Sequence, residues 1–237
     1  MKLKAAVVVF PGSNCDQDCV RAWEFVTGGK AKLIWHKTSK IDDFDVVILP
    51  GGFSFGDYLR SGAIARFSPI MGEVQRLAEQ GKLILGICNG FQILTEAGLL
   101  PGSLIRNKGL KYICKDVYVR VENNNTPFTK CYKDGQVLRI PISHGEGNYT
   151  IPIPELRKLQ DTGRIVLRYS NMDGTILPNT APNGSVDNIA GIINEEGNVL
   201  GIMPHPERVS DKQLGGVDGT QFWVSIVETL RVKGIMI

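Results

Sequence analysis

The sequence predicts an α/β protein with a mostly parallel open sheet, helices on both faces and an antiparallel extension, a flavodoxin-like arrangement. Three observations lead there. Up to about residue 100, short Val/Ile/Leu runs alternate with amphipathic stretches, the order of buried parallel strands and their covering helices. Beyond Gly102 strand patterns follow one another with little helix between them. With 237 residues, 43% of them hydrophobic and 22% charged, the chain has the size and composition of one large α/β domain.

The elements follow in order. AAVVVF (5–10) reads as a first strand because it runs into the turn residues Pro11-Gly12 and then a polar segment. CDQDCVRAWEFVTG (15–28) is a helix stopped by Gly28-Gly29, followed by strands AKLIWH (31–36) and DVVILPGG (45–52). PIMGEVQRLAEQG (69–81) has Pro at its start and Gly at its end, the usual asymmetry of a helix. KLILGIC (82–88) is a fourth strand and NGFQILTEAG (89–98) a helix ending at Gly98. VYVRV (117–121), QVLRIPI (136–142), RIVLRYS (164–170) and IAGIINEEGNVLGIM (189–203) are further strands. The last is predicted to fold back as a hairpin at Glu196-Gly197-Asn198. DGTQFWVSIVETLRVKG (218–234) returns to helix, with Phe222, Ile226, Val227 and Leu230 on one stripe. No linker, repeat or low-complexity segment interrupts this order.

Composition excludes several functions. A formal charge of +3 without any Lys/Arg run argues against nucleic acid as a partner. No apolar run approaches the roughly 20 residues that span a bilayer, and MKLKAAVVVFPG reads as a first strand rather than a signal segment. The expected setting is cytoplasmic. Five cysteines at 15, 19, 88, 114 and 131 therefore read as reduced thiols. Cys15 and Cys19 stand four apart on the first predicted helix, but no His or third Cys is near at ligand spacing. They are read as ordinary helix positions, and no metal site is expected.

Cys88 differs. In LGICNGFQ (85–92) it forms G-x-C-x-G with Gly86 and Gly90 at the junction of a strand and a helix. This is the pattern of a nucleophile elbow, whose sharp turn tolerates only small residues two before and two after. The turn exposes the side chain at the carboxyl edge of the sheet, where open α/β sheets bind ligands. The following helix points its N-terminus at the sulfur and favours thiolate. The backbone N–H of Asn89 is then free to donate to an oxyanion.

A cysteine nucleophile needs a base and a group that orients it. His36 has no carboxylate close behind it and reads as a strand-end residue. The other two histidines both stand in H-x-E: His144-Gly145-Glu146 and His205-Pro206-Glu207. In extended chain, residues two apart face the same side, so either carboxylate can orient its imidazole. Pro204 and Pro206 stiffen MPHPE as an extended segment beyond the strand NVLGI, which favours His205; His144 stands among glycines and stays open as the alternative. Gly51-Gly52, after the third strand, allow a second backbone donor to approach an oxyanion, and Gln92 lies one turn beyond Cys88. The loop SFGDYLRSG (54–62), with Phe55, Tyr58 and Arg60, is a candidate pocket wall.

PGGFSFGDYLRSG, LGICNGFQ, PISHGEG, PNGS, IAGI and MPHPER, in this order, resemble the glutaminase subunit of phosphoribosylformylglycinamidine synthase, a triad-type (class I) glutamine amidotransferase family of purine biosynthesis. The resemblance runs from VVVFPGSNCD to the final helix and implies one glutaminase domain over residues 1–237. It implies Cys88 as nucleophile with His205 and Glu207 completing the triad, and so decides between the two histidines. Backbone amides of Gly52 and Asn89 are expected to hold the oxyanion, and Gly51 and Gln92 to bind glutamine. SHGEG is expected near the glutamine site or a partner surface, and no role is carried onto 170–185.

The implied reaction is hydrolysis of glutamine to glutamate and ammonia through a Cys88 thioester. The chain has no G-x-x-x-x-G-K-[ST] for ATP phosphates. The resemblance implies that ATP and magnesium are used by a larger synthetase partner, accompanied by a small third subunit, and no cofactor is assigned to this chain. The rival is another cysteine-elbow hydrolase or chaperone-like protein of the same superfamily without a synthetase partner.

Overall fold

The computed structural model describes residues 3–232 and 234. Among these residues nine strands form one sheet and two form a small separate ladder. The chain runs β1 (Lys4–Val9), α1 (Asp16–Thr27), β2 (Lys30–Trp35), β3 (Val46–Leu49), α2 (Pro69–Glu79), β4 (Leu83–Ile87) and α3 (Asn89–Glu96). Then follow β5 (Ser103–Ile105), β6 (Ile113–Val121), β7 (Val137–His144), β8 (Asn148–Thr150), α4 (Ile153–Asp161) and β9 (Ile165–Ser170). β10 (Ile189–Ile193), β11 (Val199–Ile202) and α5 (Thr220–Val232) complete it. The large sheet has the order β2-β1-β3-β4-β11-β10-β9-β6-β7.

From β2 to β11 every neighbouring pair is parallel. Every residue of β3, β4 and β11 is buried, as expected of strands covered on both faces. β2 lies to one side of β1 and β4 to the other side of β3, so right-handed crossovers place α1 and α2 on opposite faces. The edge strand β2 carries Lys30 and Lys32 and is mostly accessible, which discourages pairing with other chains. From β11 onward the pairs β11–β10, β10–β9, β9–β6 and β6–β7 are all antiparallel, the expected extension. β10 and β11 are the two arms of the predicted hairpin.

α1 packs on β1 and β2 and against α5, and α3 packs on β3, β4 and β11. The predicted stripe of α5 is buried, with Trp223 added. Full burial of each large apolar side chain contributes about 1.5–3 kcal/mol, which fixes the helix on the sheet. The helix predicted over 218–234 spans Thr220–Val232, with residue 233 outside the described residues.

Four elements depart from the sequence reading. α4 is a helix within the region read as strands: Pro152 and Pro154 start it, and Leu159 is its one buried side chain, too few apolar positions for a clear period. β5 and β8 pair only with each other, outside the main sheet. The chain after His205 is a 3-10 turn over Pro206–Val209 instead of extended, with Pro206 at its first position.

Candidate active site

Cys88 follows β4 with φ +50° and ψ −105° before α3 begins at Asn89. Such a conformation costs a non-glycine residue about 1–3 kcal/mol and persists only where surrounding packing imposes it. That packing is visible. A Cβ on Gly90 would stand 2.0 Å from the carbonyl oxygen of Leu49, and one on Gly86 2.7 Å from that of Gly90. The two glycines let α3 sit directly on β3 and β4, and the turn between them is forced.

His205 reaches Cys88 by strand register. β11 runs parallel to β4 with Ile202 opposite Ile87, so the residues after both strands emerge together at the carboxyl edge. The preceding-proline restriction keeps His205 out of the helical region (φ −105°, ψ 83°), and Glu207 lies inside the 3-10 turn that Pro206 starts. This bend brings His205 Nδ1 and Glu207 Oε1 to 2.6 Å. Both residues are buried, at 1% and 0% exposure. Burial pushes the His205 pKa down, but the Glu207 carboxylate and the nearby Cys88 and Cys15 sulfurs outweigh it and hold it well above its ordinary value. Nδ1 faces the carboxylate, and Nε2 has no hydrogen-bond partner among the described residues.

Cys88 opens on a cavity of about 170 Å³ lined also by Gly52, Phe53, Asp57, Ser61, Gln92, Tyr112 and residues 143–146. Drug-sized sites run to about 300–1,000 Å³, so this one suits a compact molecule such as an amino acid. The Cys88 thiol faces the Ser143 carbonyl oxygen at 3.6 Å. β7 stands four strands from β11 in the ladder, yet the His205 N–H donates to Pro141 O at 2.9 Å. The twisted antiparallel extension therefore curls back to close one side of the site.

Asn89 is the first residue of α3, where backbone N–H groups lack intrahelical acceptors. Its side chain accepts from Ser54 N–H at 3.1 Å and donates to Gln92 Oε1 at 2.8 Å. Gln92 in turn donates to Glu146 O at 2.5 Å, so its carboxamide ties α3 to the segment after β7 while lining the cavity. Gly52 has φ +153°, and a Cβ there would lie 2.7 Å from Gly12 O and from Ser13 Cα. Gly51 lies behind the cavity wall: its carbonyl accepts from Asn14 and Cys15 N–H at 3.1 Å, and a Cβ on it would stand 2.7 Å from His205 Cε1.

The other H-x-E does not pair. His144 Nδ1 faces Asn107 Oδ1 at 3.1 Å, and Glu146 Oε2 accepts from Ser61 N–H at 3.0 Å. Burial, with the charge of His205 adding to it, pushes His144 down to about 4. Burial and the charge of Glu146 raise Asp57 to about 6, against hydrogen bonds from Ser61 and Asn89. His36 is buried elsewhere, with Nδ1 on Ser68 Oγ at 3.1 Å.

Two readings are corrected. Cys15 is not a residue of α1 but its N-cap, and its sulfur accepts from Arg208 Nη2 at 3.0 Å. It joins His205 and Glu207 in a buried set whose donor atoms all lie within 4.8 Å of one another. The 2.6 Å between Nδ1 and Oε1 is a hydrogen bond, too short for two ligands of one zinc, each about 2.0–2.2 Å from the ion. In the loop 54–62 it is Asp57 and Ser61 that reach the cavity. Phe55 instead packs edge-on to His36, Arg60 binds Glu96, and Tyr58 is exposed. Cys15, Asp57 and Asn107 were missed as site residues. The position of Cys15 just after β1 was the available signal, since loops after parallel strands converge at one edge.

The architecture is that of a glutamine amidotransferase: the CobB/CobQ-like glutamine amidotransferase domain family matches residues 2–221. The phosphoribosylformylglycinamidine synthase subunit PurQ of Salinibacter ruber is 53% identical over 98% of this chain and 99% of its own. That of Moorella thermoacetica is 55% identical over 95% of this chain and 96% of its own. A solved structure of PurLQS from Thermotoga maritima matches at 47% identity and TM-score 0.86, covering 97% of this chain and 100% of the matched one. The chain belongs to the family of the phosphoribosylformylglycinamidine synthase subunit PurQ, within the glutamine amidotransferases.

Proposed function

We propose that this chain, as one glutaminase domain, hydrolyses glutamine and delivers the ammonia to a synthetase that makes phosphoribosylformylglycinamidine from formylglycinamide ribonucleotide in purine biosynthesis. The observation that carries the site assignment is the juxtaposition of Cys88, strained on its elbow, with the buried His205–Glu207 pair. Cys88 is the nucleophile, His205 the base and acid, and Glu207 the group that orients and charges His205. His205 takes the thiol proton and the sulfur attacks the glutamine carbonyl carbon. The oxyanion is held by the amides of Gly52 and Asn89. The C–N bond then breaks, the His205 proton goes to nitrogen, and ammonia leaves a thioester. Water, deprotonated by His205, hydrolyses the thioester to glutamate and returns the thiol.

The carboxylates of Asp57 and Glu146 on the cavity wall favour a substrate that brings a cation, as the α-ammonium of glutamine does. Gln92 orders that wall, and Gly51 shapes the site by leaving room for His205. The partners are a larger ATP-binding synthetase and a small third subunit, a reading supported by similarity to a chain of PurLQS. ATP and magnesium act on the synthetase. Among the described residues no helix is long and apolar enough to cross a membrane, and the proposed workplace is the cytoplasm.

The test is labelling with a stoichiometric glutamine-analogue electrophile, followed by mass mapping and an ammonia assay. Cys88 is expected to carry the label and its loss of activity. Label on Cys15, Cys19, Cys114 or Cys131 with Cys88 free would overturn the assignment.

A further inference from the structure

His144 is buried, at 2% exposure, and lines the same cavity as Cys88, but it is outside the triad. Its protonation pattern follows from its neighbours. The Asn107 side-chain amide is fixed by three backbone groups: Nδ2 donates to Lys111 O and His144 O, each at 2.9 Å, and Oδ1 accepts from Gly147 N–H at 3.0 Å. Oδ1 is therefore the atom that faces His144 Nδ1, and Nδ1 must carry the hydrogen. Nε2 is left as a lone-pair acceptor, buried and without a donor among the described residues. Leaving such a group unmatched costs about ten- to a hundredfold in an equilibrium. The ring is held in place from below, since a Cβ on Gly147 would stand 2.3 Å from its Cε1.

We propose that His144 Nε2 accepts a hydrogen bond from the carboxamide nitrogen of glutamine as it leaves as ammonia; this rests on the glutaminase reading above. With the reacting oxygen turned toward Gly52 and Asn89, the nitrogen needs one group that gives a proton and one that accepts an N–H. His205 gives the proton. His144 accepts without taking one, because burial keeps it neutral down to about pH 4. A carboxylate in its place would hold the product as ammonium, whereas a neutral imidazole lets ammonia leave uncharged.

The discriminating experiment compares glutamine with the γ-methyl ester of glutamate, which forms the same thioester but has no leaving-group N–H. In steady-state assays on the full chain, His144→Ala should lower the ratio of kcat/KM for glutamine over ester by about ten- to a hundredfold, mainly through kcat. His144→Gln, whose carboxamide oxygen also accepts, should restore part of that ratio and serves if the alanine variant does not fold. Equal losses on the two substrates in the folded variants would overturn the proposal. Cys88→Ser should abolish both reactions; wild-type glutamine turnover by that variant would instead sink the glutaminase reading itself.

Discussion

His144-Gly145-Glu146 and His205-Pro206-Glu207 have the same spacing and opposite fates. In the second, Pro206 starts a 3-10 turn directly after a non-helical His205, and the bend brings carboxylate and imidazole to 2.6 Å. In the first, the histidine is the last residue of β7 and the chain then turns, so each side chain finds a separate partner: Asn107 for His144, the Ser61 amide for Glu146. One pair is sealed in the interior. The other lines the cavity, where Glu146 is linked to the loop 54–62. Two residues of separation permit a His–Glu pair, but the backbone between them decides whether it forms.

The largest expected effect separates the chemistry of the two segments. His205→Ala should lower ammonia release by about 10³-fold or more, because it removes the base and the acid together. His144→Ala should cost no more than about a hundredfold. If His144→Ala were the dead variant and His205→Ala stayed near wild type, the assignment would be reversed.

Next comes coupling to a synthetase partner. Binding of the synthetase with its nucleotide substrate should raise glutamine turnover about a hundredfold, the worth of one oxyanion donor at roughly 3 kcal/mol. Gly52 would be the hinge for such a donor, since its φ of +153° is open only to glycine. Steady-state ammonia assays on the chain alone and on the assembled complex decide it. Equal turnover would rule out the gate and leave the triad untouched.

Gly51→Ala sharpens the claim that the second segment is fixed by packing. The new Cβ would stand 2.7 Å from His205 Cε1 and 3.2 Å from the Cys15 sulfur. Displacing the imidazole by about an ångström should cost about a hundredfold in kcat, with thermal unfolding showing a folded protein. An unchanged kcat would mean that His205 is free to move.

The smallest effect is on stability. The folded-state pKa of His144, about 4, lies below the ordinary 6.5, so the folded chain binds fewer protons than the unfolded one between these values. Its contribution is complete above about pH 6.5 and is lost as pH falls through about 4, amounting to about 2 kcal/mol by pH 5. His144→Gln cannot titrate, so urea unfolding of the variant should show correspondingly less loss between pH 7 and 5. A wild-type pH profile in the variant would show that His144 is not buried neutral.

Much of the site was legible in the chain. Gly86, Cys88 and Gly90 specify an elbow locally, because the glycines are needed by contacts within a few residues of the turn and with the strand next to it. The buried runs of β3, β4 and β11 specify a parallel core, since only strands covered on both faces are apolar throughout. Resemblance chose between the two histidines; local spacing alone left them nearly even. α4 is not legible in the chain because a single buried leucine leaves no period to read.

The sequence by itself determined what depends on neighbours along the chain: the thiol set between glycines at a strand-to-helix turn, a His205 held out of the helical region by Pro206, and the order of strands and helices. Tertiary structure alone decided what depends on distant segments meeting. Cys15 touches Arg208 across 193 positions of chain, and Ser143 reaches Cys88 across 55, because the carboxyl edge gathers loops and the extension curls back over it. The tautomer of His144 belongs to the same group, set by Asn107 at 37 positions' distance. Local sequence limits the conformations open to a backbone, whereas a buried side chain takes the partner that the packed fold brings within hydrogen-bond reach.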